Sequence, residues 1–143
     1  MKITTLVLVF LAATVAAASV HFVKGPVLTD AGTTLVVSGK LAGLGVGDVT
    51  IAVAASGVAS VECTNPGGNI APGQDTAISA GGSITLPAAK NGTLTFSVAT
   101  IEPSIPSSAC PNDGWSADAV DVLFGSGTIT VIQGGVVVLA YPF

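Results

Sequence analysis

Val49-Thr50-Ile51-Ala52-Val53 and, further along, Leu94-Thr95-Phe96-Ser97-Val98 alternate apolar residues with small or polar ones. Residues two apart in a strand point to the same side, so each set offers one apolar face to a core. A period of two predicts half-buried strands rather than helical turns. Val120, Val122 and Phe124 repeat the pattern, and Asp121 is expected to face away from them. By the same reasoning Asp118 and Asp121 are expected on opposite faces.

Outward from these stretches the chain reads as short β-branched segments punctuated by Gly, Pro, Asn and Asp. Candidate strands are Val20–Lys24, Thr33–Ser38, Val49–Ala54, Ala59–Cys63, Ser83–Leu86, Leu94–Thr100, Ala117–Phe124, Gly127–Gln133 and Val136–Tyr141. No run in the mature part places apolar residues at helical spacing with a polar opposite face. The fold class expected is therefore all-β: an antiparallel immunoglobulin-like β-sandwich of about eight or nine strands with one disulfide. In the immunoglobulin fold proper the buried tryptophan lies between the cysteines. Here Trp115 follows the second cysteine, so the topology is expected and membership of that family is not.

The first eighteen residues read differently. Lys2 precedes an apolar run from Leu6 to Ala18, which closes on Ala16-Ala17-Ala18. A charged start, a short greasy segment and a small-residue exit predict a secretory signal peptide over residues 1–18. The run is shorter than the roughly 20 residues that span a bilayer, so a membrane anchor is not expected. Cleavage after Ala18 removes Lys2 and takes the formal net charge from −4 to −5. Residues 19–143 then form a single domain, with no stable membrane insertion once the leader is gone. Val136 to Ala140 is too short and too close to the end for a lipid-anchor signal and reads as a last strand.

Cys63 and Cys110 are the only cysteines. In an oxidising compartment such a pair is most simply a disulfide. It would close a loop of about 48 residues, worth roughly 4 kcal/mol by the chain-entropy estimate. The one sequon, Asn91-Gly92-Thr93, is a candidate N-glycosylation site at Asn91. Asn-Gly is first of all a hairpin signal, since both residues accept positive φ. Two long loops break the rhythm of strands: Thr64 to Asp75 directly after Cys63, and Pro103 to Gly114 around Cys110. A disulfide would tie them to one end of the sandwich. Asn65, Asn69, Asn112, Asp113 and Trp115 then form the candidate recognition patch.

Val20-His21-Phe22, Cys63-Thr64-Asn65-Pro66-Gly67-Gly68-Asn69 with Ala71-Pro72-Gly73-Gln74, and Ala109-Cys110-Pro111-Asn112-Asp113-Gly114-Trp115 are the residues with a family flavour. With them the chain resembles a group of small secreted proteins from actinobacteria and some fungi, over nearly the whole mature length. The resemblance implies export and a single disulfide, and it carries no enzyme assignment.

Composition narrows the chemistry. Half of the chain is hydrophobic, 8% is charged and 5% aromatic. Four lysines, no arginine and a net charge of −4 argue against binding nucleic acid, because a polyanion would be repelled. His21, the sole histidine, lies at the mature N-terminus, and no Gly-x-Ser-x-Gly elbow precedes a helix, so no hydrolase triad is expected. Asp113, Asp118 and Asp121 lack the spacing of a calcium loop, and two cysteines with one histidine do not make a zinc motif. Glu62 and Glu102 have no His or Arg to tune them as glycosidase acids. No catalytic residue, metal or cofactor is therefore expected. What remains is an extracellular protein that acts by contact with a protein, a glycan or its own copies. Two specific forms follow: a carbohydrate-binding module using Trp115, and a coat or fibre subunit built by edge-strand addition.

Overall fold

The alternation around Ile51 continues much further than the local sequence signals. In the computed structural model, which describes residues 19–143, Val49, Ile51, Val53, Ala55, Ala59, Val61 and Cys63 are all buried along one strand. The gap expected between Ala54 and Ala59 does not occur, and the two strands read over 49–63 are one, β3 (Asp48–Thr64). Gly57 allows this, because a Cβ there would lie 2.6 Å from the Leu123 carbonyl oxygen of the neighbouring strand. The strands expected at Ala117–Phe124 and Gly127–Gln133 likewise join as β7 (Ser116–Gln133).

The remaining strands are β1 (His21–Asp30), β2 (Leu35–Ala42), β4 (Ile70–Pro72), β5 (Thr76–Pro87), β6 (Leu94–Ala99) and β8 (Val136–Pro142). Strand β4 lies inside a stretch that the sequence offers only as loop. Every pairing is antiparallel. One sheet has the order β1–β2–β6; the other runs β3–β7–β8, with β5 and β4 sharing the remaining side of β3.

The two sheets pack face to face where Leu35, Val37, Leu41, Phe96 and Val98 meet Val49, Ile51, Val53, Ile129 and Val131. This is the core predicted by the two alternating stretches. Beyond it the β3–β7 ribbon outruns the three-stranded sheet, and Ala59, Val61, Cys63, Ala119 and Val122 start a second cluster with Ile78 and Ala80. Among the described residues, no strand of the other sheet covers that end. Instead the segment from Pro103 to Trp115, with a single 3-10 turn at Ser107–Ala109, lays Ile105, Ala109, Cys110 and Trp115 over it.

Bulges in β7 change which residues face outward. Val61 pairs with Ala119 and Ser60 with Asp121, so Val120 is an extra residue and is 53% exposed. The inserted residue resets the period of two. Asp118 and Asp121 therefore stand opposite Glu62 and Ser60, two positions on one face of β3, instead of on opposite faces. Val120 likewise leaves the inward set, while Val122 stays fully buried.

The Asn-Gly signal is also read differently by the fold. The Gly92 N–H bonds to the Ala89 carbonyl (2.9 Å) and the Ala89 N–H to the Thr93 carbonyl (2.9 Å), with Gly92 at φ 76°. No described non-glycine residue has positive φ, so Asn91 occupies an ordinary turn position. This is a three-residue loop ending on a left-handed glycine, not a two-residue hairpin. It leads from β5 in one sheet to β6 in the other.

Candidate functional site: the disulfide-stapled end

At the far end of the ribbon, Thr64 pairs with Ser116, so Asn65 and Trp115 are the first residues beyond the adjacent ends of β3 and β7. Asn65 then starts a tight return. Its carbonyl accepts from the Gly68 N–H (2.9 Å), its N–H bonds to the Asn69 carbonyl (2.9 Å), and its side-chain Oδ1 accepts from the Asn69 N–H (2.9 Å). Pro66-Gly67-Gly68 is thus the loop, with Gly68 at φ 83°, and β4 runs back along Glu62, Cys63 and Thr64. Asn side chains commonly hold turns in this way.

Two links join this end to the Pro103–Gly114 loop, and a third holds the first loop to β3. The Cys63–Cys110 disulfide has a Cα–Cα distance of 5.8 Å. The Gln74 N–H donates to the Ala109 carbonyl (2.9 Å), and the Gly73 N–H donates to the Val61 carbonyl (2.8 Å). Both half-cystines are buried. The staple is thus part of the second core as well as a cross-link, and it fixes the loops against the ribbon.

Of the residues proposed from sequence, Asn65 is partly buried and committed to its turn, whereas Asn69, Asn112 and Asp113 are exposed. Trp115 is half-buried and packs on the second core. Asn91 lies away from this end on the turn before β6, exposed, with its Oδ1 accepting from the Thr93 hydroxyl (2.8 Å). His21 is exposed, and its Nδ1 lies 2.8 Å from the Ser19 carbonyl oxygen.

Sequence reading missed the acidic face beside the staple. Glu62 and Asp118 are direct cross-strand partners, and Asp121 joins them through the Val120 bulge. An open depression of about 400 Å³ on this side is lined by Ser60, Glu62, Ile70, Pro72, Asp75 and Val120, among others. A bulge has no unambiguous signature in the strand that carries it, so the grouping was not legible beforehand. Among the described residues, no three His, Cys, Asp or Glu side chains gather as a metal-binding group. No helix there is long and apolar enough to cross a membrane.

Comparison with protein-family models, with curated proteins and with solved structures finds no match to this chain.

Proposed function

We propose that this is an exported protein that acts outside the cell by surface contact, as an interaction or structural component, and not by catalytic turnover. The observation that carries the reading is the stapled end. A disulfide and a second core tie two long loops to the ribbon, although the sheets already have a core of their own. Loops on a rigid scaffold are a common way to present a binding surface. Exposed Asn69, Asn112 and Asp113 supply hydrogen-bonding groups there. Its partner is a protein, a glycan or a second copy. The packing of Trp115 on the second core favours a lid over a sugar-stacking platform.

The export reading, with residues 1–18 as leader and 19–143 as the working domain, also draws on the disulfide, which persists in oxidising compartments. The likeness to small secreted proteins is part of the same proposal. The immunoglobulin-like topology is supported by strand order. β1–β2–β6 and β3–β7–β8 correspond to A–B–E and C–F–G of that fold, with β5 kept on β3 instead of joining β6.

The test is made on natively exported protein. An N-terminus at Ser19, no free thiol, and partner binding weakened by Asn112→Ala with Asp113→Ala are expected. A retained leader or two free thiols overturns the export reading, and binding indifferent to both substitutions overturns the patch.

A second reading, assembly by edge-strand addition, is favoured by β8. This edge strand, Val136–Pro142, carries no charge, and Val136 and Val137 are 61% and 57% exposed. By contrast, β1 at the edge of the other sheet is interrupted by two register shifts and carries Lys24 and Pro26. Bulges, lysine and proline on an edge obstruct pairing with another chain. Val137→Lys is expected to abolish any such assembly; polymers that persist in this variant would exclude β8 as the joint.

A further inference from the structure

Lys24 and Lys40 are direct partners across the β1–β2 ladder. Like charges in that position repel one another and destabilise the pair. The placement is conspicuous in a chain with so few charges, where Lys24, Lys40 and Lys90 are the only lysines among the described residues. A lysine on an edge strand guards it against pairing, which accounts for Lys24. It does not account for Lys40, because β2 is the central strand of its sheet. Both lysines line a groove of about 290 Å³ together with Val27, Ser38 and Thr95, and no acidic residue lines it. Register shifts on both sides of Lys24 mark the bulges that set its direction.

The opposite arrangement occupies the acidic face at the stapled end. Glu62 stands directly across from Asp118, again a like-charge pair, with Asp121 beside them. The two pairs cannot neutralise each other within one molecule. Gly45, in the middle of the link from β2 to β3, is held to Gln133, which is the partner of Val49. The lysines therefore belong to the Val49 end of β3. The stretch from Val49 to Glu62 spans roughly 43 Å at the rise of an extended strand. The pairs also lie on the outer faces of different sheets.

We infer that the Lys24–Lys40 groove receives the Glu62–Asp118 face of a second copy, in a head-to-tail contact. Complementary charge orients the contact and contributes to its strength, and exposed apolar neighbours add to it: Val27 (52% exposed) beside the lysines, and Ile70 (64%) and Val120 (53%) beside the acids. Because the two surfaces differ, a pair of copies keeps one of each free, and the contact propagates into a ring or an open chain. The inference rests on the proposed surface-contact role, and it does not use the β8 edge.

The experiment is sedimentation of the exported protein at low and high ionic strength, with two double variants, Lys24→Glu/Lys40→Glu and Glu62→Lys/Asp118→Lys. The expected result is association at low ionic strength, lost at high ionic strength where exposed charges are screened. Each double variant alone is monomeric, and an equimolar mixture of the two associates again, because the acidic groove of one variant meets the basic face of the other with signs exchanged, and the two unaltered surfaces meet as in the wild type. Recovery on mixing also shows that the variants are folded. A monomeric wild-type protein at low ionic strength overturns the self-contact while leaving a contact role with other partners standing. Association that survives both reversals and high salt but is lost in Val137→Lys overturns this interface in favour of β8.

Discussion

Gly127 and Phe143 hold each other by two backbone hydrogen bonds, each 3.0 Å, from the N–H of one to the carbonyl of the other. The bonds extend the β7–β8 ladder past Thr128 and Pro142 to the last residue. They also bring the Phe143 ring over Gly127, where a Cβ would collide with the ring and with the Ala54 carbonyl. Phe143 in turn packs against the first core. Gly127→Ala must displace that ring or the strand, at a cost of about 1–3 kcal/mol. Urea denaturation is expected to show a lower midpoint with an unchanged slope. An unchanged midpoint would show that the C-terminal residue is not held in this way.

The staple gives a second expectation. Cys63 and Cys110 are separated by 47 residues in sequence. Replacing both by alanine is expected to cost about 4 kcal/mol, a large fraction of the 5–15 kcal/mol typical of a domain. The first core does not involve the disulfide, so circular dichroism of the variant is expected to remain that of a β protein below its lowered melting point. A melting point insensitive to reducing agent would contradict the entropic role.

Trp115 is expected to behave as packing. Trp115→Ala uncovers part of the second core and should lower stability by about 2 kcal/mol, less than the 3–5 kcal/mol of a fully buried ring. Thermal unfolding checks this. Unchanged stability together with lost glycan binding would return the tryptophan to the sugar-binding role.

Neighbouring asparagines separate turn chemistry from surface chemistry. Asn65→Ala removes the acceptor for the Asn69 N–H and is expected to cost about 1 kcal/mol. Asn112→Ala, at an exposed position with no such bond, should stay within about 0.5 kcal/mol of wild type. Equal effects in chemical denaturation would show that the turn does not depend on the side chain.

Much of this structure follows from local patterning. Leu94, Phe96 and Val98 alternate with Thr95 and Ser97, and that suffices to place the first three in the core, because strand parity is a property of neighbouring residues. The cysteine pair was legible for a similar reason, since two thiols in one chain have one way to join within it. Asp118 and Asp121 were not legible. Their common face depends on Val120 being extruded opposite Val61, which is settled between two strands far apart in sequence. The unbroken run of β3 through Gly57 has the same origin, because only the approach of Leu123 shows that a glycine there sustains a strand. The acidic face beside the staple and its separation from the Lys24–Lys40 groove are consequences of that pairing. The amino-acid sequence by itself determined the all-β class, the alternating core and the pair of sulfurs, because each rests on residue type and short-range period. Register, bulges, the joining of strands and the placing of charges on faces were decided only in the tertiary structure, where hydrogen bonding between distant strands selects which residue has no partner.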